Sequence, residues 1–197
     1  MPLGHGLPWN QVKTIMVLAM TNWVYIATSL DGFIATLDGG LDWLFALPNP
    51  ENDDYGYGDF IAQMDAIVMG RNTFETVLGF DEWPYTKPVI VLSHQLKTVP
   101  DRVRGQAEIM AGDVVQIERQ LNQRGYTNLY IDGGNVIQHF LQSDRIDHLV
   151  LSRIPIILGQ GIPLFKTLDL SLSFNHVATT TYPSGLVKSH YVRDRAE

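Results

Sequence analysis

The chain has 197 residues, enough for one domain with a sizeable core, and its 45% hydrophobic and 18% charged composition is that of a folding, soluble-type protein rather than a disordered or low-complexity one. A formal charge of −7 provides no general field for nucleic acid or anionic lipid, so an anionic ligand has to be held by a local site. With no cysteine there is no disulfide, no Cys-ligated zinc, no iron–sulfur cluster and no thiol nucleophile. The six histidines fall into no H-E-x-x-H or other close ligand spacing, so no metal site is expected.

In chain order, MPLGHGLPWNQ (1–11) is rich in Gly and Pro. VKTIMVLAM (12–20) is too short to span a membrane and lacks the flanks of a signal peptide. Residues 1–21 read as an extension, 22–197 as a single domain, and the location as cytoplasmic with no membrane partner. Trp23–Ser29 is a β-rich apolar run, and Ala66–Met69, Val89–Leu92, Ala107–Met110 and Leu129–Ile131 are short apolar runs of the kind buried in a parallel sheet. Gly39 to Asp53 reads as a loop. Helices are expected ending over Phe60–Met64, over Asn72–Leu78, over Val114–Arg124 with Gly125 beyond its end, and over Val136–Leu141. Ile146–Ile157 is a long strand whose Pro155 implies a bend, and Ser173–Tyr182 with Leu186–Val192 form a hairpin across Pro183-Ser184-Gly185. The sum is an α/β domain: a mainly parallel sheet with flanking helices, finished by a C-terminal antiparallel hairpin.

Such sheets bind ligands beyond the carboxyl ends of their strands. Three strand ends carry suitable residues. At Gly70-Arg71-Asn72-Thr73 a strand breaks at Gly and a helix begins; free helical N–H groups attract anions and Arg71 offers a fork to phosphate, although an ordinary cap reads the same way. Asp132-Gly133-Gly134-Asn135 repeats the pattern without the full G-x-G-x-x-G fingerprint, and paired glycines also make a plain tight turn. Ser93-His94 closes a third strand.

Taken together, MGRNTFE (69–75), VIVLS (89–93), IDGGNVI (131–137) and SLDGFIA (29–35) resemble the cofactor-binding segments and first loop of the dihydrofolate reductase superfamily. RIDHLVLSRIPIILGQGIPLF (145–165) resembles the strand and Gly-x-Gly-x-Pro-Leu-Phe turn of the reductase domain in the bifunctional deaminase-reductase of riboflavin biosynthesis and its stand-alone relatives. The likeness runs from about Trp23 to Val192.

The resemblance implies a three-layer dihydrofolate reductase-like fold, hydride transfer from NADPH, and a small heterocyclic substrate. The substrate implied is a ribosylamino-pyrimidine such as 5-amino-6-(5-phosphoribosylamino)uracil. It places the pyrophosphate on Gly133, Gly134, Asn135 and Val136, the adenosine side on Arg71, Asn72 and Thr73, and the 2′-phosphate on Ser93. His94 stands where many relatives carry Arg, which leaves NADH open. Ala27 matches the residue that meets the nicotinamide amide, and Trp43 in GGLDWL matches a Trp that covers the nicotinamide or substrate ring, or else anchors its loop. Asp54 resembles the pterin-binding carboxylate, with an N-cap as its other reading, and Asp132 sits where riboflavin reductases have Glu. Asp31 in the first loop completes the candidate acids. The Pro-Trp loop of true dihydrofolate reductases is missing, so a dihydrofolate or pterin reductase is the second reading and a non-catalytic nucleotide-binding protein the third. The family also implies a homodimer, and the lack of cysteine excludes a zinc deaminase module.

Overall fold

A computed structural model describes residues 19–169 and 171–195. The expected extension lies outside these residues except at its end, where Met20 packs on the core and Thr21 already opens the first strand.

Eight strands form one sheet: β1 (Thr21–Thr28), β3 (Ala66–Gly70), β4 (Val89–Leu92), β5 (Ala107–Met110), β6 (Asn128–Asp132), β7 (His148–Arg153), β9 (Phe174–Thr181) and β10 (Val187–Arg193). Their order is β5-β4-β3-β6-β1-β7-β10-β9. The first six positions are mutually parallel, and β10 and β9 join antiparallel as the C-terminal hairpin. A separate antiparallel pair, β2 (Phe33–Ala35) with β8 (Ile162–Pro163), ties the first loop to the Gly-x-Gly-x-Pro turn.

The parallel strands are apolar on both faces because helices cover both. α4 (Val114–Gln123) and α5 (Gly134–Gln142) pack Ile117, Leu121, Ile137 and Phe140 on the face carrying Val24, Val68 and Ile131. α2 (Tyr57–Ala62) and α3 (Arg71–Leu78) place Phe60 and Phe74 on the opposite face, against Ile67, Met69 and Tyr130. This is the three-layer arrangement expected from the sequence.

Two elements differ from the reading above. The stretch 39–53 contains a four-residue helix, α1 (Asp42–Phe45), held because Trp43 is buried with Ile154 and Leu186. The long strand expected to Ile157 ends at Arg153, where the chain turns before Pro155, which has no N–H to donate to a sheet ladder.

Candidate active site

Because six strands run parallel, their carboxyl ends share one edge of the sheet. Along it stand Ser93 after β4, Gly70 ending β3, Asp132 ending β6, Ala27 near the end of β1 and Ser152 in β7. Leu92 pairs with Gly70, which sets Ser93 beside the start of α3.

The two helix starts on this edge differ from that of α4. Asp113 caps α4, its carboxylate accepting from the Gln116 N–H at 2.8 Å, whereas Gly70 and Gly133 give α3 and α5 no side-chain cap and leave their first N–H groups pointing outward. Gly133 has φ +83°, and a Cβ there would run into the Thr73 hydroxyl; a Cβ on Gly70 would lie 3.2 Å from Val136 Cγ2. The glycines therefore let α3, the β6–α5 turn and Val136 close on one another. Arg71 and Asn72 are exposed at the head of α3, Arg71 reaching only to Glu75 at 3.7 Å. Asn135 accepts from Lys166 Nζ at 3.0 Å, which brings a second cation to the start of α5. Lys166 was not singled out in the sequence, although it follows the Pro-Leu-Phe motif directly. Ser93 Oγ accepts from the N–H groups of Leu96 (2.9 Å) and Gln95 (3.2 Å), so it also caps its own turn, and His94 is exposed beside it.

At the β1 end of this edge lies a cavity of about 370 Å³. Tyr25 and Ala27 form its floor with Tyr130 and Ser152; Leu44, Phe45 and Leu47 wall one side, and Asp54, Tyr55 and Tyr57 another. The second wall is fixed by one atom. The Tyr55 main-chain oxygen accepts from Tyr25 Oη at 2.8 Å, from Tyr182 Oη at 3.2 Å and from Lys188 Nζ. Tyr55 itself has φ +56°, a conformation that a large side chain adopts only when its surroundings hold it. Phe45 is 69% exposed at the mouth.

The three candidate acids separate clearly. Asp31 is spent on structure: its Oδ1 accepts from Ser29 Oγ (2.6 Å) and the Leu158 N–H (3.1 Å), its Oδ2 from the Gly159 N–H (2.7 Å). The Ser29 hydroxyl chiefly holds its pKa below the ordinary range, and its three bonds tie it to the loop rather than to the cavity, whose lining does not include it. Asp54 lines the cavity, but its oxygens accept from Gly58 N (2.9 Å) and Gly56 N (2.7 Å), which depress its pKa and tie it to the turn leading into α2 as well as placing an anion at the cavity wall. Asp53 similarly accepts from the Tyr55 N–H at 2.7 Å.

Asp132 is the reverse case. Burial pushes its pKa up, against the opposing bond from the Gly133 N–H at 2.8 Å. Around it stand Tyr57, raised to about 12 chiefly by burial, and Tyr85 and Tyr130, whose hydroxyls are pushed higher still for the same reason. Tyr85 Oη makes a long bond to Asp132 Oδ2 at 3.5 Å, while Tyr130 Oη donates to the Tyr25 carbonyl at 2.9 Å. Of the three acids, Asp132 alone is biased toward holding a proton.

Trp43 is not among the residues that line the cavity. It is 8% exposed, packed with Ile154 and Leu186 behind Ala27, and its neighbours Leu44 and Phe45 face the cavity instead. The loop-anchor reading is the one the packing supports. Tyr25, Tyr57 and Tyr130 went unnoticed in the sequence because aromatic residues on a strand or helix read equally well as core. Among the described residues no group of three or more His, Asp or Glu is placed to hold a metal ion, and no helix is long and apolar enough to cross a membrane.

A parallel sheet with an antiparallel end, two uncapped glycine helix starts and a cavity on the same edge define the dihydrofolate reductase-like class of α/β folds. The family model of the RibD C-terminal domain matches residues 23–188, and the chain belongs to that family. A crystal structure from Shewanella sp. PV-4, provisionally named for riboflavin biosynthesis, is 47% identical, with a TM-score of 0.86 over 89% of this chain and 100% of that one. The uncharacterized protein YwjB of Bacillus subtilis (strain 168) is 33% identical over 174 residues, 86% of this chain and 96% of its own length. Dihydrofolate reductase from Enterococcus faecalis, solved with NADP(H), shares the fold at 20% identity, with a TM-score of 0.62 over 89% of this chain and 97% of that one.

Proposed function

We propose that this chain is a reductase that uses NADPH, with NADH as a weaker substitute, to reduce a heterocyclic substrate of the ribosylamino-pyrimidine kind. One observation carries the reading: the residues Ser93, Gly70-Arg71, Gly133-Gly134 and Ala27 stand in line along a single sheet edge that ends in a cavity. Two helix starts without side-chain caps, drawn together by glycines whose Cβ space Thr73, Val136 and Ile34 occupy, suit a diphosphate. Bound there, the reduced nicotinamide supplies the hydride.

The chain's own residues do the rest. The first N–H groups of α3 and α5 take the diphosphate oxygens and Arg71 adds a charged fork. Ser93, with His94, meets a 2′-phosphate. Ala27 and the tyrosines around it receive the two rings and exclude water, and Asp132 holds the proton that the reduced substrate gains. A pterin or dihydrofolate reductase is the second reading, favoured by Asp54 on the cavity wall.

Titration with NADPH, followed by energy transfer from tryptophan to the nicotinamide, tests the first step: saturation at micromolar concentration is expected. No binding at millimolar NADPH or NADH overturns the reductase reading. Oxidation of bound NADPH on adding 5-amino-6-(5-phosphoribosylamino)uracil, its dephosphorylated form or a dihydropterin then separates the readings. We also propose that two copies associate, with the exposed edge strand β9 as the available surface; sedimentation that returns only monomer at high micromolar concentration overturns this.

A further inference from the structure

The charge of the cavity bears on what the substrate ring carries. A phosphate at neutral pH brings between one and two negative charges and needs an Arg or Lys fork or an open helix start to replace its water. The cavity offers neither. Among the described residues no Arg or Lys lines it; Tyr25, Phe45, Tyr57 and Tyr130 give it aromatic surface and Leu44 and Leu47 aliphatic surface.

Its charged lining residue is an anion. The N–H groups of Gly58 and Gly56 favour the ionised form of Asp54, so the second residue of α2 already donates to an anion. Asp53 adds a second carboxylate on the same turn. The field of the two carboxylates reaches the floor, where Tyr25 is made harder to ionise chiefly by burial and then by Tyr182, Asp54 and Asp53. The cation in contact with the walls is Lys188, and it is engaged: it donates to the Tyr55 carbonyl and lies 5.5 Å and 5.9 Å from the ring centroids of Tyr182 and Tyr25. Of the basic residues at the carboxyl edge, Arg71 and Lys166 stand at the starts of α3 and α5, where the cofactor is assigned, and Arg153 is exposed at the end of β7, beyond the residues that line the cavity.

We infer that the cavity selects a flat heterocycle without a phosphate group, neutral or protonated, and discriminates against phosphorylated derivatives of the same ring. The inference rests on the reductase reading for the chemistry that follows binding, and on the cavity alone for the binding itself. Ring faces meet the tyrosines and Phe45, and ring-edge N–H groups meet Asp54.

Calorimetric titration of the full chain, with and without saturating NADPH, tests it with two probes: 5-amino-6-(5-phosphoribosylamino)uracil and the same compound after phosphatase treatment. The dephosphorylated compound is expected to bind at least about tenfold more tightly. Phe45→Lys puts a cation at the exposed mouth and narrows the gap by strengthening the phosphorylated form, whereas Phe45→Leu keeps the gap. Equal or tighter binding of the phosphorylated compound to the wild type overturns the inference, and so does failure of both compounds to bind. NADPH failing to bind while the gap persists overturns the reductase reading and supports the selection.

Discussion

Thr73 and Gly133 belong to different strand–helix turns, yet the Thr73 hydroxyl occupies the space where a Cβ on Gly133 would stand. Their contact sets the α3 and α5 starts side by side. Gly133→Ala therefore meets two obstacles, a φ of +83° and the hydroxyl, and is expected to cost about 1–3 kcal/mol of stability and to abolish tight NADPH binding. In a double-mutant cycle, adding Thr73→Ala returns part of the stability, because the steric conflict goes while the backbone strain stays. Chemical denaturation of the four proteins measures this; strictly additive losses would contradict the contact.

Arg71 stands exposed at an uncapped helix start, with a distant partner in Glu75. Its removal leaves the fold alone and takes a charged donor from the dinucleotide. Arg71→Ala is expected to weaken NADPH by about 1.5–3 kcal/mol, the scale of a hydrogen bond to a charged group, with an unchanged melting temperature. An unchanged dissociation constant would remove Arg71 from the cofactor site.

Asp132 titrates above the ordinary carboxylate range because burial penalises its charge. Between the ordinary pKa and the raised one, the folded chain keeps a proton that the unfolded chain has released, so stability falls as pH rises through that window. The proton available to substrate is lost over the same rise. Turnover should then fall toward alkaline pH, and Asp132→Asn should lower it by ~10²–10⁴-fold and flatten that limb. The variant should also lose the wild type's decline in stability as pH rises above the ordinary carboxylate pKa. A pH–rate profile with urea melts at matched pH reads both.

The hydroxyls of Tyr25 and Tyr182 share one acceptor at 2.8 Å and 3.2 Å. Tyr25→Phe and Tyr182→Phe are each expected to cost about 0.5–1.5 kcal/mol, Tyr25→Phe the more, since its bond is the shorter. The double variant should open the 50–58 segment to protease well before the global transition. Equal protection in all three proteins would show that Lys188 alone holds the turn.

The architecture was readable where one residue decides one local outcome. Short apolar runs of three or four residues announced buried parallel strands, the apolar positions 114, 117 and 121 announced α4, and glycines after two strands marked the helix starts that now face each other. What escaped depends on partners far along the chain. Asp31 looked free in its loop because its acceptor role lies with amides 127 and 128 residues away. Trp43 could not be oriented from sequence, since a Trp on a one-turn helix serves a core or a ligand equally well. The Tyr55 anchor leaves no signature, because its acceptor is a main-chain oxygen and one donor, Lys188, is 133 residues distant.

That same oxygen separates two kinds of change. Every residue presents a carbonyl, so the grip of the three donors does not itself depend on which side chain stands at position 55, although the φ of +56° and the packing of the ring on Tyr182 limit the choice. The cavity can thus alter which ring it admits through residues 55 and 57 without loosening the turn that carries them. The turn is fixed through its main chain, and the chemistry of the wall is set through its side chains.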